Sequence, residues 1–194
     1  MGILFDLDQH VGWRHVESPV ADCHSLFSAR NRADLLCHEL VLIGLAASPL
    51  GVDIEWLAKT VDIEAVGEFG LSYREREAFR RLDPSDRERL FLQCWTQKEA
   101  YLKAIGKGLL VSPASVEVFV GPDEEPGLKS VAGNPRAAAR WFLNLVAPRD
   151  RYIGAVAILG DRGQVQMTVF DTSCLLVREE TWAEGWPGAS RCRG

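Results

Sequence analysis

Asp53 and Glu55 stand two residues apart in Gly51-Val52-Asp53-Ile54-Glu55, and Glu99 stands four before Lys103 in Lys98-Glu99-Ala100-Tyr101-Leu102-Lys103. On an extended strand alternate residues share a face, so Asp53 and Glu55 project together while Val52 and Ile54 pack the other side. Two carboxylates so placed disfavour joint ionisation, and a divalent cation resolves the conflict. An all-oxygen ligand set suits magnesium or manganese; zinc would recruit His or Cys. A lone D-x-E is more often an ordinary solvated strand end. A Glu-to-Lys pair at helical spacing is equally common as surface decoration. What changes the balance is that Lys98 and Lys107 flank the same end of the same segment. A carboxylate set among ammonium groups, beside a glycine-rich helix terminus, suits a metal and a polyphosphate bound together.

The elements that must position these groups follow from periodicity and punctuation. Glu39 to Ala47 (ELVLIGLAA) reads as a buried strand closed by Ser48-Pro49, with a second strand from Leu50 to Glu55. Ser72 and Glu75 form a capping box that opens a helix, which must stop before Pro84. Asp83 or Ser85 then caps a longer helix to about Ile105, with an apolar stripe of Phe91, Cys94, Trp95, Leu102 and Ile105. Gly106 and Gly108 end it, with Lys103 and Lys107 where the helix dipole favours cations. Trp95 reads as core packing that orients this helix. Strands are expected at 115–120, 141–146, 152–159 and 164–170, with Gly160 to Gly163 as a hairpin turn joining the last two. Asp22 to Leu36 reads weakly as helix, Pro122 to Pro135 as a loop, and the segment from Thr172 as a tail.

The bulk properties bound the partners. The chain has 194 residues and a net charge of −5, so no general attraction to nucleic acid or to a membrane is expected. Five scattered cysteines (Cys23, Cys37, Cys94, Cys174 and Cys192) form no C-x-x-C pair, which argues for a reducing compartment without disulfides or zinc. Asp6 and Asp8 interrupt the opening apolar run, so no signal peptide is expected, and Leu40 to Ala47 is too short to span a bilayer. A cytoplasmic protein is the expectation. The arginines at 74, 76, 80, 81, 87 and 89 could face an acidic partner, but interleaved acids make a mixed solvated surface the better reading.

Together, Trp95-x-x-Lys98-Glu99-Ala100-x-x-Lys103-x-x-Gly106-x-Gly108-Leu109 downstream of Gly51 to Glu55 resembles the phosphopantetheinyl transferases. The spacing is similar to the surfactin-synthetase-activating (Sfp) type rather than the small trimeric holo-synthase type, and Ser72 to Glu75 resembles that family's helix start. The resemblance covers about Leu40 to Leu109. It implies an α+β fold of two pseudo-symmetric lobes: a shortened amino-terminal lobe over 1–50, a carboxy-terminal lobe with the metal site and signature helix over 51–171, and a tail over 172–194. It implies transfer of the 4′-phosphopantetheine arm of coenzyme A to a serine of an acyl- or peptidyl-carrier protein. Asp53, Glu55 and Glu99 would ligate magnesium on the coenzyme A pyrophosphate, and Lys103 would neutralise that pyrophosphate. Glu99 would accept the serine proton, directly or through a metal-bound water. Lys98 would contact phosphate or the acceptor, and Lys107 and His38 would bind coenzyme A.

The pattern departs from the family in two places. The family's His is flanked by small hydroxyl residues where this chain has Cys37 and Glu39, and fewer than forty residues precede His38. The shortness leaves part of the coenzyme A site missing, rebuilt or supplied by a second subunit. It keeps a second reading open, a non-catalytic coenzyme A or carrier-protein binding module. A metal-dependent phosphodiesterase or pyrophosphatase ranks third, because it has no use for the segment from Trp95 to Leu109.

Overall fold

The computed structural model describes residues 2–6, 31–37, 40–57, 61–107, 110–121, 124–160, 163, 165 and 167–171. Strand β4 (Leu50–Trp56) is covered on both faces, and its alternation decides what each face meets. It pairs antiparallel with β8 (Tyr152–Leu159), which pairs antiparallel with β7 (Trp141–Val146) to complete a three-stranded sheet. Val52 and Ile54 of β4, with Val156 and Ile158 of β8, point one way and bury against Leu40 and Leu42 of β3 (Leu40–Ala46). That strand belongs to a four-stranded sheet ordered β2-β3-β1-β9, built from β1 (Gly2–Asp6), β2 (Asn31–Cys37), β3 and β9 (Thr168–Asp171). On the opposite face, Ala155 and Ala157 of β8 and Leu143 of β7 bury against Ala100, Tyr101 and Leu102. Those three lie on the long helix α3 (Pro84–Ala104), so the middle sheet is held between a sheet and a helix in an α+β fold. The near-continuous apolar run of β8 follows, since neither of its faces meets water.

The caps fall where local chemistry places them. Helix α1 (Ile63–Gly70) starts at Asp62, whose carboxylate accepts from the Ala65 N–H at 3.0 Å. Helix α2 (Tyr73–Arg81) opens on the expected capping box, Ser72 accepting from Glu75 N–H and Glu75 from Ser72 N–H. Asp83 caps α3 with Pro84 in its first turn, and Gly106 follows the helix end at a φ of +63°, a conformation natural to glycine. A short hairpin-like pair, β5 (Val116–Val118) and β6 (Leu128–Val131), packs beside α3, followed by the one-turn helix α4 (Pro135–Ala138). Trp95 packs as expected, stacked on Phe91 at 6.2 Å between ring centres.

Several expectations are corrected. Residues 31–36 form strand rather than helix, because pairing with β3 overrides their mixed pattern. The segment 122–135 contains β6, whose partner β5 supplies the hydrogen bonds that composition alone does not reveal. No hairpin joins β8 to β9: β8 lies between β4 and β7, and β9 pairs instead with β1. The glycines at 160 and 163 punctuate the chain, but the strand's partner is chosen by the tertiary fold. Residues 22–30 and the tail from Thr172 lie outside the described residues. Among the described residues no helix is long and apolar enough to cross a membrane.

Candidate active site

The site forms at the seam between β4 and α3, and Gly51 sets how close the two come. A Cβ at position 51 would sit 2.2 Å from the Ala100 carbonyl oxygen and 2.4 Å from the Ala104 nitrogen. Only hydrogen fits there. Gly51, Asp53 and Glu55 share the strand face toward the helix, and Glu99 and Lys103 occupy successive turns of α3 beside the contact. Gly51→Ala must therefore push helix from strand, costing about 1–3 kcal/mol as overpacking does. It should also spread the acidic cluster, so that a chemical-denaturation midpoint and divalent-cation affinity fall together.

Asp53 is the centre of the cluster. It is 3% exposed, and its Oδ1 accepts a hydrogen bond from Lys103 Nζ at 2.5 Å. Its other oxygen, Oδ2, is buried with no hydrogen-bond partner. Burial pushes the Asp53 carboxyl up to about 7, against the pull of Lys103, and the charges of Glu55 and Glu99 push it further. Glu99, half-buried, is also raised, first by burial and then by Glu55, with Lys103 pulling it down. Asp53, Glu55, Glu99 and Lys103 thus form one electrostatic cluster holding more negative than positive charge.

A buried carboxylate oxygen with no donor, pressed by two further carboxylates, is what a hard cation neutralises. Among the described residues no three His, Cys, Asp or Glu side chains stand ready as a ligand set.

The raised Asp53 gives a pH signature for the metal-free protein. Its carboxyl sits at about 7 in the fold and at about 3.9 in an unfolded chain, so between those values the unfolded state releases the proton and the folded state keeps it. Stability from this group is complete below pH 4 and is lost as pH rises through about 7. Asp53→Asn should flatten that decline in a series of urea titrations, and divalent cation should offset it near neutrality in the native sequence.

Lys98 is placed otherwise than the sequence reading has it. Its side chain is fully buried, and Nζ donates to Glu75 Oε2 at 2.6 Å, to the Gly70 carbonyl at 2.9 Å and to the Pro113 carbonyl at 3.0 Å. All three ammonium donors are used, so the expected phosphate or acceptor contact is corrected to an internal ion pair. Glu75 completes the knot: besides Lys98 and Ser72, it accepts from the Val118 N–H at 2.9 Å. Sequence reasoning found Glu75 as a cap but not as the partner of Lys98, because nothing local links positions 75 and 98.

Lys107 is exposed just beyond Gly106. His38 and Glu39 lie outside the described residues. Of the arginines preceding the signature helix, Arg76 and Arg87 donate to backbone carbonyls, while Arg80 pairs with Glu77 and Arg89 with Asp86. These four support the mixed-surface reading.

The fold is α+β, with an acidic strand set against a helix whose Lys103 pairs with Asp53. Residues 49–157 match the 4′-phosphopantetheinyl transferase superfamily, and the chain belongs to that family. The 4′-phosphopantetheinyl transferase HetI of Nostoc sp. (strain PCC 7120 / SAG 25.82 / UTEX 2576) is 33% identical over 111 residues, 57% of this chain and 44% of HetI. The chain thus spans less than half the length of that relative. Among solved structures, the holo-[acyl-carrier-protein] synthase of Thermotoga maritima is 22% identical with a TM-score of 0.43, covering 59% of this chain and 64% of that one. That of Bacillus anthracis str. Ames, solved in complex with CoA (3′,5′-ADP), is 24% identical with a TM-score of 0.46, covering 59% and 96%.

Proposed function

We propose that this chain transfers the 4′-phosphopantetheine arm of coenzyme A to a serine of an acyl- or peptidyl-carrier protein, with magnesium bound by Asp53, Glu55 and Glu99. The observation that carries this reading is the buried, unpartnered Oδ2 of Asp53 inside a cluster that also holds Glu99 and Lys103. Family membership and the relative HetI support it. Within the family, the spacing between Gly51 to Glu55 and Trp95 to Leu109 favours the surfactin-synthetase-activating type. A soluble setting in the cytoplasm accords with the scattered cysteines and with coenzyme A as donor.

Bound magnesium supplies charge neutralisation at the diphosphate as phosphoryl transfer proceeds. The chain's own groups do the rest. Glu99 takes the proton of the carrier serine as its hydroxyl oxygen bonds to the phosphorus that bears the pantetheine arm. The bond from that phosphorus to the bridging oxygen breaks, and adenosine 3′,5′-bisphosphate leaves. Lys103 stabilises the negative charge gathering on the leaving phosphate. Burial suits Glu99 to this task, because a carboxylate raised toward neutrality is a stronger base. Lys107, exposed past the helix end, is available to the outer phosphates of coenzyme A.

The test is intact-protein mass spectrometry of a panel of apo carrier proteins incubated with this chain, coenzyme A and magnesium. A mass gain equal to the phosphopantetheine arm, abolished by chelator, is expected on at least one carrier. No gain on any carrier, with coenzyme A bound or cleaved regardless, would instead favour a binding module or a hydrolase.

A further inference from the structure

A second concave surface lies away from the seam of β4 and α3, and its floor is acidic. It is a cavity of about 740 Å³, walled by the start of α2, the turn after β6 and the β5–β6 pair. Val116 and Val118 of β5 pack into the core, so Glu117 between them projects from the other face. Glu117 and its register partner Ser130 are nevertheless only 9% and 8% exposed. Ser130 Oγ donates to Glu117 Oε2 at 3.1 Å, while Glu117 Oε1 accepts from no group among the described residues. That second oxygen keeps contact with the open cavity. Arg74 and Lys129 stand on the walls, and neither pairs with a carboxylate among the described residues. Lys129 lies instead over the Phe119 ring, 5.4 Å from its centre. The N–H groups of Tyr73 and Arg74, in the first turn of α2, also lack partners among the described residues. The opposite wall is held firmly: Ala132 keeps a left-handed φ of +48°, its N–H bonded to the Ser115 carbonyl at 2.7 Å.

We propose that this cavity binds a small zwitterion, its ammonium on Glu117 and its carboxylate or phosphate on Arg74, Lys129 and the start of α2. A buried carboxylate in the middle of a strand costs the fold more than an apolar residue would, and one serine hydroxyl does not neutralise it. An anion alone gains the two wall cations but brings a like charge over Glu117. An amine alone gains Glu117 but approaches Arg74 and Lys129. A molecule carrying both charges satisfies every unpaired group at once, through charge-assisted hydrogen bonds at each end. The positive end of the α2 dipole and its free N–H groups favour the same anionic end. The volume is in the usual range for small-molecule sites. None of these groups belongs to the cluster around Asp53, so the site is separate from the one assigned above to transfer.

The experiment titrates the full chain with unbranched ω-amino acids, from glycine to aminohexanoate, and with O-phosphoethanolamine, followed by amide shifts in heteronuclear NMR. Controls are the carboxylate, the amine and the hydroxy acid of matched length, and inorganic phosphate. At least one zwitterion is expected to shift the amides of Ser115, Glu117, Ser130 and Ala132. It should bind about tenfold or more tightly than any of its controls, as a second charge-assisted contact implies. The amino-acid and phosphoethanolamine arms tell a carboxylate ligand from a phosphate one. Glu117→Gln should remove the advantage of the zwitterion while holding the matched carboxylate as well or better. Arg74→Gln, on the exposed wall, should weaken every anionic probe and spare the amine. A dispersed amide spectrum checks that each variant is folded, and the native series decides the matter even where one is not. A carboxylate, amine or hydroxy acid bound by the native chain as tightly as the matched zwitterion would overturn the proposal. So would shifts confined to residues outside the cavity, or no shift with any probe.

Discussion

Lys98→Met is expected to destabilise the protein by about 3–5 kcal/mol, the cost of removing one member of a buried ion pair. In a domain of this size that lowers the melting temperature by on the order of 10 °C. The size follows from what is left behind. Glu75 would remain 2% exposed, its carboxylate holding only neutral donors (two backbone N–H groups and the Cys94 thiol), and the Gly70 and Pro113 carbonyls would lose a charged donor. Glu75→Leu should cost at least as much, since it also strips acceptors from the N–H groups of Ser72 and Val118. The pair ties α1, α2, β5 and the turn at Pro113 to the helix that carries Glu99, so losing it loosens the frame of the site. Urea denaturation of both single variants and the double variant checks this. A lysine that served phosphate instead would show the reverse pattern, with full stability and weakened coenzyme A binding.

Glu99→Gln gives the second large effect, and on activity rather than stability. The substitution keeps the shape of the side chain while removing both a ligand charge and the group assigned to take the serine proton. Transfer rate should fall by about 10²–10⁴-fold, the usual contribution of a positioned base. Stability should hold or rise slightly, because a half-buried carboxylate crowded by Glu55 is neutralised. Single-turnover transfer followed by intact mass, alongside a melt, separates the two. Transfer near the native rate in Glu99→Gln would remove Glu99 from the chemistry and leave the carboxylate cluster as a binding feature only.

How far the molecule could be read in advance depended on where its determinants lay along the chain. Strands β3, β4, β7 and β8 and helices α2 and α3 were legible, because each carries its own signal: an apolar run, a period-two alternation, a capping box or a proline stop. The face shared by Asp53 and Glu55 was legible for the same reason. What escaped was decided by distant partners. Strand β9 left its sequence neighbour for β1, and β6 exists because β5 lies beside it. Helix α1 contains Gly67 and Gly70, poor helix formers by propensity. Gly70 is there for packing, since a Cβ would come within 2.7 Å of the Trp95 ring.

Lys98 was the most instructive miss. A helix with one apolar stripe suggests a wet opposite side, where a lysine would reach ligand. In the fold α3 is largely enclosed from Leu90 to Leu102, with Thr96, Gln97 and Lys98 buried and bonded internally. Gln97 also accepts from the Gly127 N–H, and no local pattern announces that bond. Polar residues on a central helix are read correctly only when their partners are known, and here those partners lie from three to 30 residues away.

Diffraction from crystals grown with manganese and coenzyme A, recorded for the metal's anomalous signal, addresses the site itself. The expected result is one anomalous peak at about 2.0–2.3 Å from oxygens of Asp53 and Glu99, the distance at which a small hard dication binds oxygen. Lys103 Nζ should then be turned from Asp53 to the diphosphate. A metal seated elsewhere, with Lys103 still bonded to Asp53 and coenzyme A bound, would contradict the assignment of this cleft.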